Sequence, residues 1–195
     1  MSKDWTGNKA TAFATLGASN HSETAREVND YYATDPRAVD LLLEKENFSK
    51  KVLEPSCGEG HISKVLTGNS YEVTSYDLID RGFGEVKDFF DVEKFDGDII
   101  TNPPYKIALD FAKHSLDIID DGAKVAMFLK IQFLESKSRR AFFDEFPPKK
   151  VYVASSRLLC AMNGDFDKYK SSAACYAWFV WEKGYVGKPM IDWIN

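Results

Sequence analysis

The residues best suited to chemistry stand at 101–105, Thr-Asn-Pro-Pro-Tyr, directly after the apolar run at 98–100. Adjacent prolines fix two φ angles and remove two N–H donors, so the corner is stiff and its carbonyls stay free. Asn102 adds a side-chain carbonyl. Two acceptors on one rigid turn, the Asn102 amide oxygen and a main-chain carbonyl at the Asn102–Pro103 junction, can hold an amino group by both of its protons. Tyr105 adds a ring that can stack on a flat substrate. The plainer account is a Pro-Pro loop break with a turn asparagine, but ending a buried strand that way is costly.

A second cluster lies at EPSCGEGH (54–61). Gly58 and Gly60 permit a tight bend and a close approach of ligand to backbone. A lone GxG occurs in many ordinary turns, and the dinucleotide fingerprint wants a third Gly or Ala where this chain has Ser63. Glu54 is a poor neighbour for a pyrophosphate and suits a ligand carrying an ammonium group. Asp77 closes the alternating stretch YEVTSYD (71–77); a carboxylate there can accept two ribose hydroxyls, or simply terminate a strand. At 88–90, Asp-Phe-Phe, the acid can accept from an exocyclic amine and an adjacent ring can stack on a purine; the plainer account is a core Phe beside a surface Asp.

These residues need a frame, and the chain supplies one. Asp35 as cap and Pro36 at the first helical position start a helix. Strands are expected at 51–55, 71–77, near Val86, and at 98–101, 124–129, 150–155 and 173–181, with helices at 61–66, 106–119 and 136–146. Short apolar strands alternating with helices predict an α/β fold, a seven-stranded mostly parallel sheet with an antiparallel last strand and helices on both faces. Such sheets bind ligands beyond the carboxyl ends of their strands, where all the clusters above fall.

The chain has 195 residues, 44% hydrophobic and 28% charged, a globular composition. No apolar run is long enough to span a membrane, and the start lacks the apolar core of a signal peptide, so a cytoplasmic protein is expected. Three cysteines without ligand spacing argue against a disulfide scaffold or a metal site. The net charge is −5, yet residues 124–150 carry seven Lys and Arg against three Asp and Glu. Within that stretch Lys137, Arg139, Arg140, Lys149 and Lys150 form a candidate phosphate track; a solvated helix face is the plainer account.

Together these motifs resemble class I S-adenosylmethionine-dependent methyltransferases, specifically the DNA N6-adenine enzymes. NPPY (102–105) matches their catalytic [DNS]PP[YFW] tetrapeptide, and EPSCGEGH looks like their methionine-binding motif. Asp77 matches their ribose-binding acid and Asp88-Phe89 their adenine-binding pair. YYATDP (31–36) is similar to the segment that closes over the cofactor. DLIDRGFG (77–84), FLKIQFLE (128–135) and YAWFVWEKG (176–184) resemble small phage and bacterial proteins of this kind.

The resemblance implies an N-terminal arm over 1–30 and one Rossmann-like methyltransferase domain over 31–195, with S-adenosyl-L-methionine as cofactor. It implies Asn102, Pro103, Pro104 and Tyr105 as catalytic residues. Tyr32, Thr34, Glu54 and Pro55 would contact the cofactor, as would Gly58, Gly60, Asp77, Leu78, Asp88, Phe89 and Asn102. The partner it implies is nucleic acid, DNA before RNA, with the target adenine flipped out of the duplex or taken from a single strand. Restriction-type relatives carry a separate target-recognition domain, whereas 90 residues follow Tyr105 here. DNA reading would then fall to the basic segment, the loop at 155–172 and the arm. RNA adenine enzymes, which more often read NLPY or NIPY, protein glutamine methyltransferases, and a binding module without transfer are the alternatives. Nothing in the sequence sets an oligomeric state.

Overall fold

The computed structural model describes residues 31–162 and 174–195. The expected arm at 1–30 lies outside them, as do residues 163–172 of the expected 155–172 loop. In chain order the elements are β1 (Tyr32–Thr34), α1 (Pro36–Leu43), β2 (Lys51–Glu54), α2 (His61–Gly68), β3 (Glu72–Asp77), β4 (Glu85–Val86) and β5 (Asp98–Thr101). They continue with α3 (Ala108–Ile118), β6 (Lys124–Lys130), α4 (Lys137–Glu145), β7 (Lys150–Ala154), β8 (Cys160–Met162), β9 (Tyr176–Glu182) and β10 (Met190–Ile194).

Eight strands form one sheet in the order β10-β7-β9-β6-β5-β2-β3-β4, parallel throughout except for β9, which runs antiparallel to both neighbours. The period of two along each strand builds a core on each side. Val125, Met127 and Leu129 of β6 and Ala177, Phe179 and Trp181 of β9 face the α3 side with Phe111 and Leu116. Ala126, Phe128, Trp178 and Val180 face the other side with Ala38, Leu42, Ile62 and Leu66 of α1 and α2. Each such side chain contributes roughly 1.5–3 kcal/mol relative to exposure. Buried Trp178 satisfies its indole N–H on the Ala38 carbonyl at 2.8 Å, tying β9 to α1. The expected cap forms at Asp35, which accepts from Arg37 N at 3.0 Å, and Ser136 caps α4 by accepting from Ser138 N at 3.1 Å.

The α/β sheet with helices on both faces matches expectation, with two differences. The sheet has eight strands rather than seven, and its antiparallel strand is the penultimate one. β10 follows β9 and lies parallel to β7 at the edge. Its first four residues are exposed and only Ile194 is buried, so the alternation that signals a half-buried strand is missing there. The second difference is a small antiparallel pair, β1 with β8, joining Tyr32 to Met162 and Thr34 to Cys160. β8 falls within a stretch expected to be loop, and three residues are too few to show a period.

Among the described residues no helix is long and apolar enough to cross a membrane.

Candidate active site

The carboxyl ends of β2, β3 and β5 open on a cavity of about 440 Å³. Tyr32 and Thr34 of β1 line it, as do Glu54, Pro55, Asp77, Leu78, Asp88, Phe89 and the whole 102–105 corner. Residues from 31 to 111 are gathered in one place because parallel strands all end on the same side of the sheet. The volume lies within the roughly 300–1,000 Å³ usual for small-molecule sites.

Asn102 is held from one side only. Its Nδ2 donates to the Tyr32 carbonyl at 3.0 Å and to Thr34 Oγ1 at 3.0 Å, and lies 3.8 Å from Cys160 Sγ. A main-chain carbonyl only accepts, so the amide nitrogen must face β1 and the oxygen must face away. That oxygen, Oδ1, is buried and takes no hydrogen bond among the described residues. A buried acceptor without a donor is unfavourable, so this oxygen is open to a donor from outside the chain, whether water or ligand. Ser56 Oγ bonds the Asn102 carbonyl at 3.1 Å, and Ile107 N bonds the Pro104 carbonyl at 3.1 Å. The Pro103 carbonyl between them accepts no such bond among the described residues.

Tyr105 begins a short 3-10 turn that leads into α3. Its ring stacks at 5.9 Å and 29° on Tyr32, and the Lys130 ammonium lies 4.9 Å from its centre. Its hydroxyl donates to Cys160 Sγ at 3.4 Å. Burial pushes the Tyr105 phenol well above its usual range and the Cys160 thiol up to about 11, so both keep their protons. Tyr105 also lines a second, smaller cavity of about 160 Å³ with Leu129, Lys130, Gln132, Phe133 and Arg139.

Glu54, 1% exposed, closes β2 and accepts a hydrogen bond from Ser63 Oγ. Burial raises its pKa from 4.5 to about 8, with the Asp77 charge adding to the rise against the Ser63 hydrogen bonds. Its carboxyl is therefore largely neutral at pH 7 and would ionise beside a cation. Asp77 accepts from Gly58 N at 2.8 Å through Oδ2 and from Ile79 N at 2.9 Å through Oδ1. Each oxygen keeps a lone pair for a further donor. Asp88 caps the turn at 89–91 by accepting from Phe90 N at 2.9 Å. Burial likewise raises the Cys57 thiol to about 12, as expected of a packing residue and not a nucleophile.

Some expected roles shift. Gly58 and Gly60 do not line the cavity. Both have positive φ, 54° and 79°, but the space a Cβ would need is filled by the rings of Tyr31 and Phe83 respectively. The glycines are demanded by aromatics of the same chain packed over the bend. Phe89 is buried against Phe111 at 4.8 Å and His114 at 4.7 Å, so it anchors the turn, while its neighbour Phe90 is the exposed ring.

The five basic residues do not make one track. Lys137, Arg139 and Arg140 lie in the first half of α4, whereas Lys149 and Lys150 come after it, at the start of β7. α4 returns the chain from the carboxyl end of β6 to the amino end of β7, so the first three lie near the start of the helix and the last two lie beyond its far end. Lys149 pairs with Glu182 at 2.6 Å. Lys150 pairs with Glu46 at 2.7 Å and reaches Tyr152 at 3.0 Å. Arg140 pairs with Asp144, and Arg139 folds back on the carbonyls of Gln132, Phe133 and Glu135. Lys137 alone of the five is exposed without such a partner among the described residues.

Sequence reasoning did not assign a role to Tyr31, Arg81 or Cys160. Tyr31 and Arg81 sit inside quoted stretches, YYATDP and DLIDRGFG, where their types gave a signal; Cys160 reaches the site only through the β1–β8 pairing.

No protein-family model matches the chain, and no curated protein sequence matches it. Solved structures do. One is assigned as an RNA methyltransferase from Pyrococcus horikoshii: 16% identity over 89% of this chain and 97% of that one, TM-score 0.56. A second is assigned as a class I S-adenosylmethionine-dependent methyltransferase from Listeria monocytogenes: 12% identity, 94% and 71% coverage, TM-score 0.56. A third is a modification subunit assigned to a type I restriction enzyme from Vibrio vulnificus: 10% identity, 94% and 51% coverage, TM-score 0.56. The chain has the Rossmann-like fold of class I S-adenosylmethionine-dependent methyltransferases.

Proposed function

We propose that this protein transfers a methyl group from S-adenosyl-L-methionine to the exocyclic N6 amine of adenine in DNA. The observation that carries the reading is the buried, unpartnered Oδ1 of Asn102, oriented by Thr34 and Tyr32 and followed by two prolines. An acceptor pair of this kind fits a planar NH2 group and has no use for a hydroxyl, which offers one proton.

The cavity fits the cofactor. Glu54 suits an ammonium, Asp77 retains lone pairs for ribose hydroxyls, and Asp88 retains one oxygen for an adenine amine. When bound, S-adenosylmethionine supplies an electrophilic methyl on a sulfonium sulfur. Asn102 Oδ1 and the Pro103 carbonyl accept the two protons of the target amine. They draw its lone pair out of conjugation with the ring and fix its direction. No strong base is required before attack, since a nitrogen that has given its lone pair to carbon is acidic. An amide, two prolines and a phenol held protonated by burial are therefore enough. Tyr105, the last residue of the corner, lines both cavities and puts its ring beside the target base.

DNA is favoured over RNA by the NPPY tetrapeptide; the structural neighbours include both an RNA methyltransferase and a restriction modification subunit and do not choose between them. The test is transfer of labelled methyl to unmodified DNA, RNA and protein extracts, followed by nucleoside digestion. N6-methyldeoxyadenosine is the expected product. Label in RNA adenine or glutamine alone would reassign the substrate, and binding of cofactor without any transfer would reduce the protein to a binding module.

A further inference from the structure

Arg81 has no place in the account so far, although it lines the main cavity. It stands in the loop after β3, four residues beyond Asp77. Its guanidinium lies over the Tyr31 ring, 4.3 Å from the ring centre. Tyr31 is fixed in turn. Its hydroxyl accepts from Glu59 N at 3.3 Å and lies 3.4 Å from His61 Nδ1, and its ring fills the space above Gly58. Arg81 is thus pinned to the glycine bend that begins at Glu54.

Stacking on an aromatic face engages the plane of a guanidinium and leaves its edge of N–H donors available. That edge is not satisfied within the protein. Arg81 Nε is buried with no hydrogen-bond partner, and Arg81 forms no ion pair among the described residues. A held cation with an open fork of donors is a site for a planar anion, and a carboxylate meets such a fork with two parallel bonds. The one other Lys or Arg lining the cavity among the described residues, Lys106, is exposed, follows Tyr105 in the chain and lies over no ring.

The ligand that suits both Arg81 and Glu54 carries an ammonium and a carboxylate on one carbon. We propose that Arg81 binds the carboxylate of the cofactor's amino-acid end while Glu54 takes its ammonium, so that the pair selects a zwitterion. The inference rests on S-adenosylmethionine being the cofactor and adds the residue that reads its carboxylate.

Calorimetry with two probes tests it: S-adenosylhomocysteine, and S-adenosyl-3-thiopropylamine, which keeps the ammonium and lacks only the carboxylate. Wild-type protein is expected to prefer the first by tenfold or more. Arg81→Ala is expected to lose that preference by weakening the first probe and leaving the second within about twofold. Arg81→Lys, with a charge but no fork, is expected to restore part of it. Equal weakening of both probes by Arg81→Ala would make Arg81 a prop for Tyr31 and overturn the proposal, as would an unchanged preference. Wild-type binding of the amine probe without preference would overturn the proposal and leave the cofactor assignment standing. Wild-type binding of neither probe would overturn both.

Discussion

Thr34 Oγ1 lies 3.0 Å from Asn102 Nδ2, a contact across 68 residues that joins the Tyr32 carbonyl in holding the Asn102 amide with its oxygen turned away from β1. Thr34 is 2% exposed, on a strand whose sheet partner among the described residues is β8. Thr34→Val keeps the shape and removes the acceptor, leaving the amide tied by the Tyr32 carbonyl alone. One hydrogen bond of this kind is worth about 1 kcal/mol, so turnover is expected to fall about fivefold to tenfold. Affinity for S-adenosylhomocysteine is expected to stay within about threefold, and Thr34→Ser to restore turnover. Steady-state kinetics beside calorimetry separates the two effects; a loss of affinity with unchanged turnover would make Thr34 a cofactor contact instead.

Glu54 couples cofactor binding to pH. Its folded pKa, about 8, lies above the 4.5 of the unfolded chain, so the folded state binds its proton more tightly. Stability is accordingly lost as pH rises from about 4.5 to about 8, and levels off above. Glu54→Gln removes that slope and is expected to raise the melting temperature at pH 8 while weakening cofactor binding. Binding an ammonium ligand at pH 7 is expected to release close to one proton. Calorimetry in two buffers of different ionisation enthalpy measures that number, and a value near zero would contradict the assignment.

Glu46 behaves in the opposite sense. Burial works to raise its pKa, but hydrogen bonds from Lys124, Lys150 and Tyr152 prevail and hold it lowered to about 2. Its contribution is full above the usual 4.5 and is lost as pH falls from there towards 2. Glu46→Gln is expected to cost about 2 kcal/mol at pH 7 and much less at pH 3, read from denaturant unfolding. The network stands at the amino end of the parallel strands, so turnover of the folded variant should be unchanged.

Lys137 and Lys150 should part company in nucleic-acid binding. Lys137→Ala is expected to weaken DNA binding and to lower the slope of log affinity against log salt by about one. Lys150→Gln is expected to leave that slope alone and to lower stability, since its charge is spent on Glu46. Equal salt slopes for both variants would restore the single basic track.

How much of this was legible in the sequence follows from the length of each signal. Strands β2, β5, β6 and β9 announce themselves as apolar runs because both of their faces are buried, and β3, which is only partly buried, does so by its alternation. The site residues lie at the ends of those strands, so finding the strands found the cavity. β10 was missed because an edge strand with four exposed residues shows no alternation, and the β1–β8 pair because three residues make no pattern.

Charge was the poorest guide. Lys149 and Lys150 read as neighbours of Arg139 along the chain, yet the crossing of the sheet separates them and Glu182 and Glu46 neutralise them. Those acids lie 33 and 104 residues away in sequence. Gly58 and Gly60 are expected from the sequence to lie against a ligand; the rings packed over them, Tyr31 and Phe83, are visible only once the chain is folded.

The central claim is that Asn102 Oδ1 grips the target amine and serves no other end. Its most direct test is Asn102→Ala, assayed for N6-methyldeoxyadenosine formation and, on the same preparation, for S-adenosylhomocysteine affinity. The account predicts a fall in turnover of about 10²–10³ or more, the range for losing a contact made to the reacting group, with affinity within a few-fold of wild type. Turnover within tenfold of wild type, with N6-methyldeoxyadenosine still the product, would contradict it.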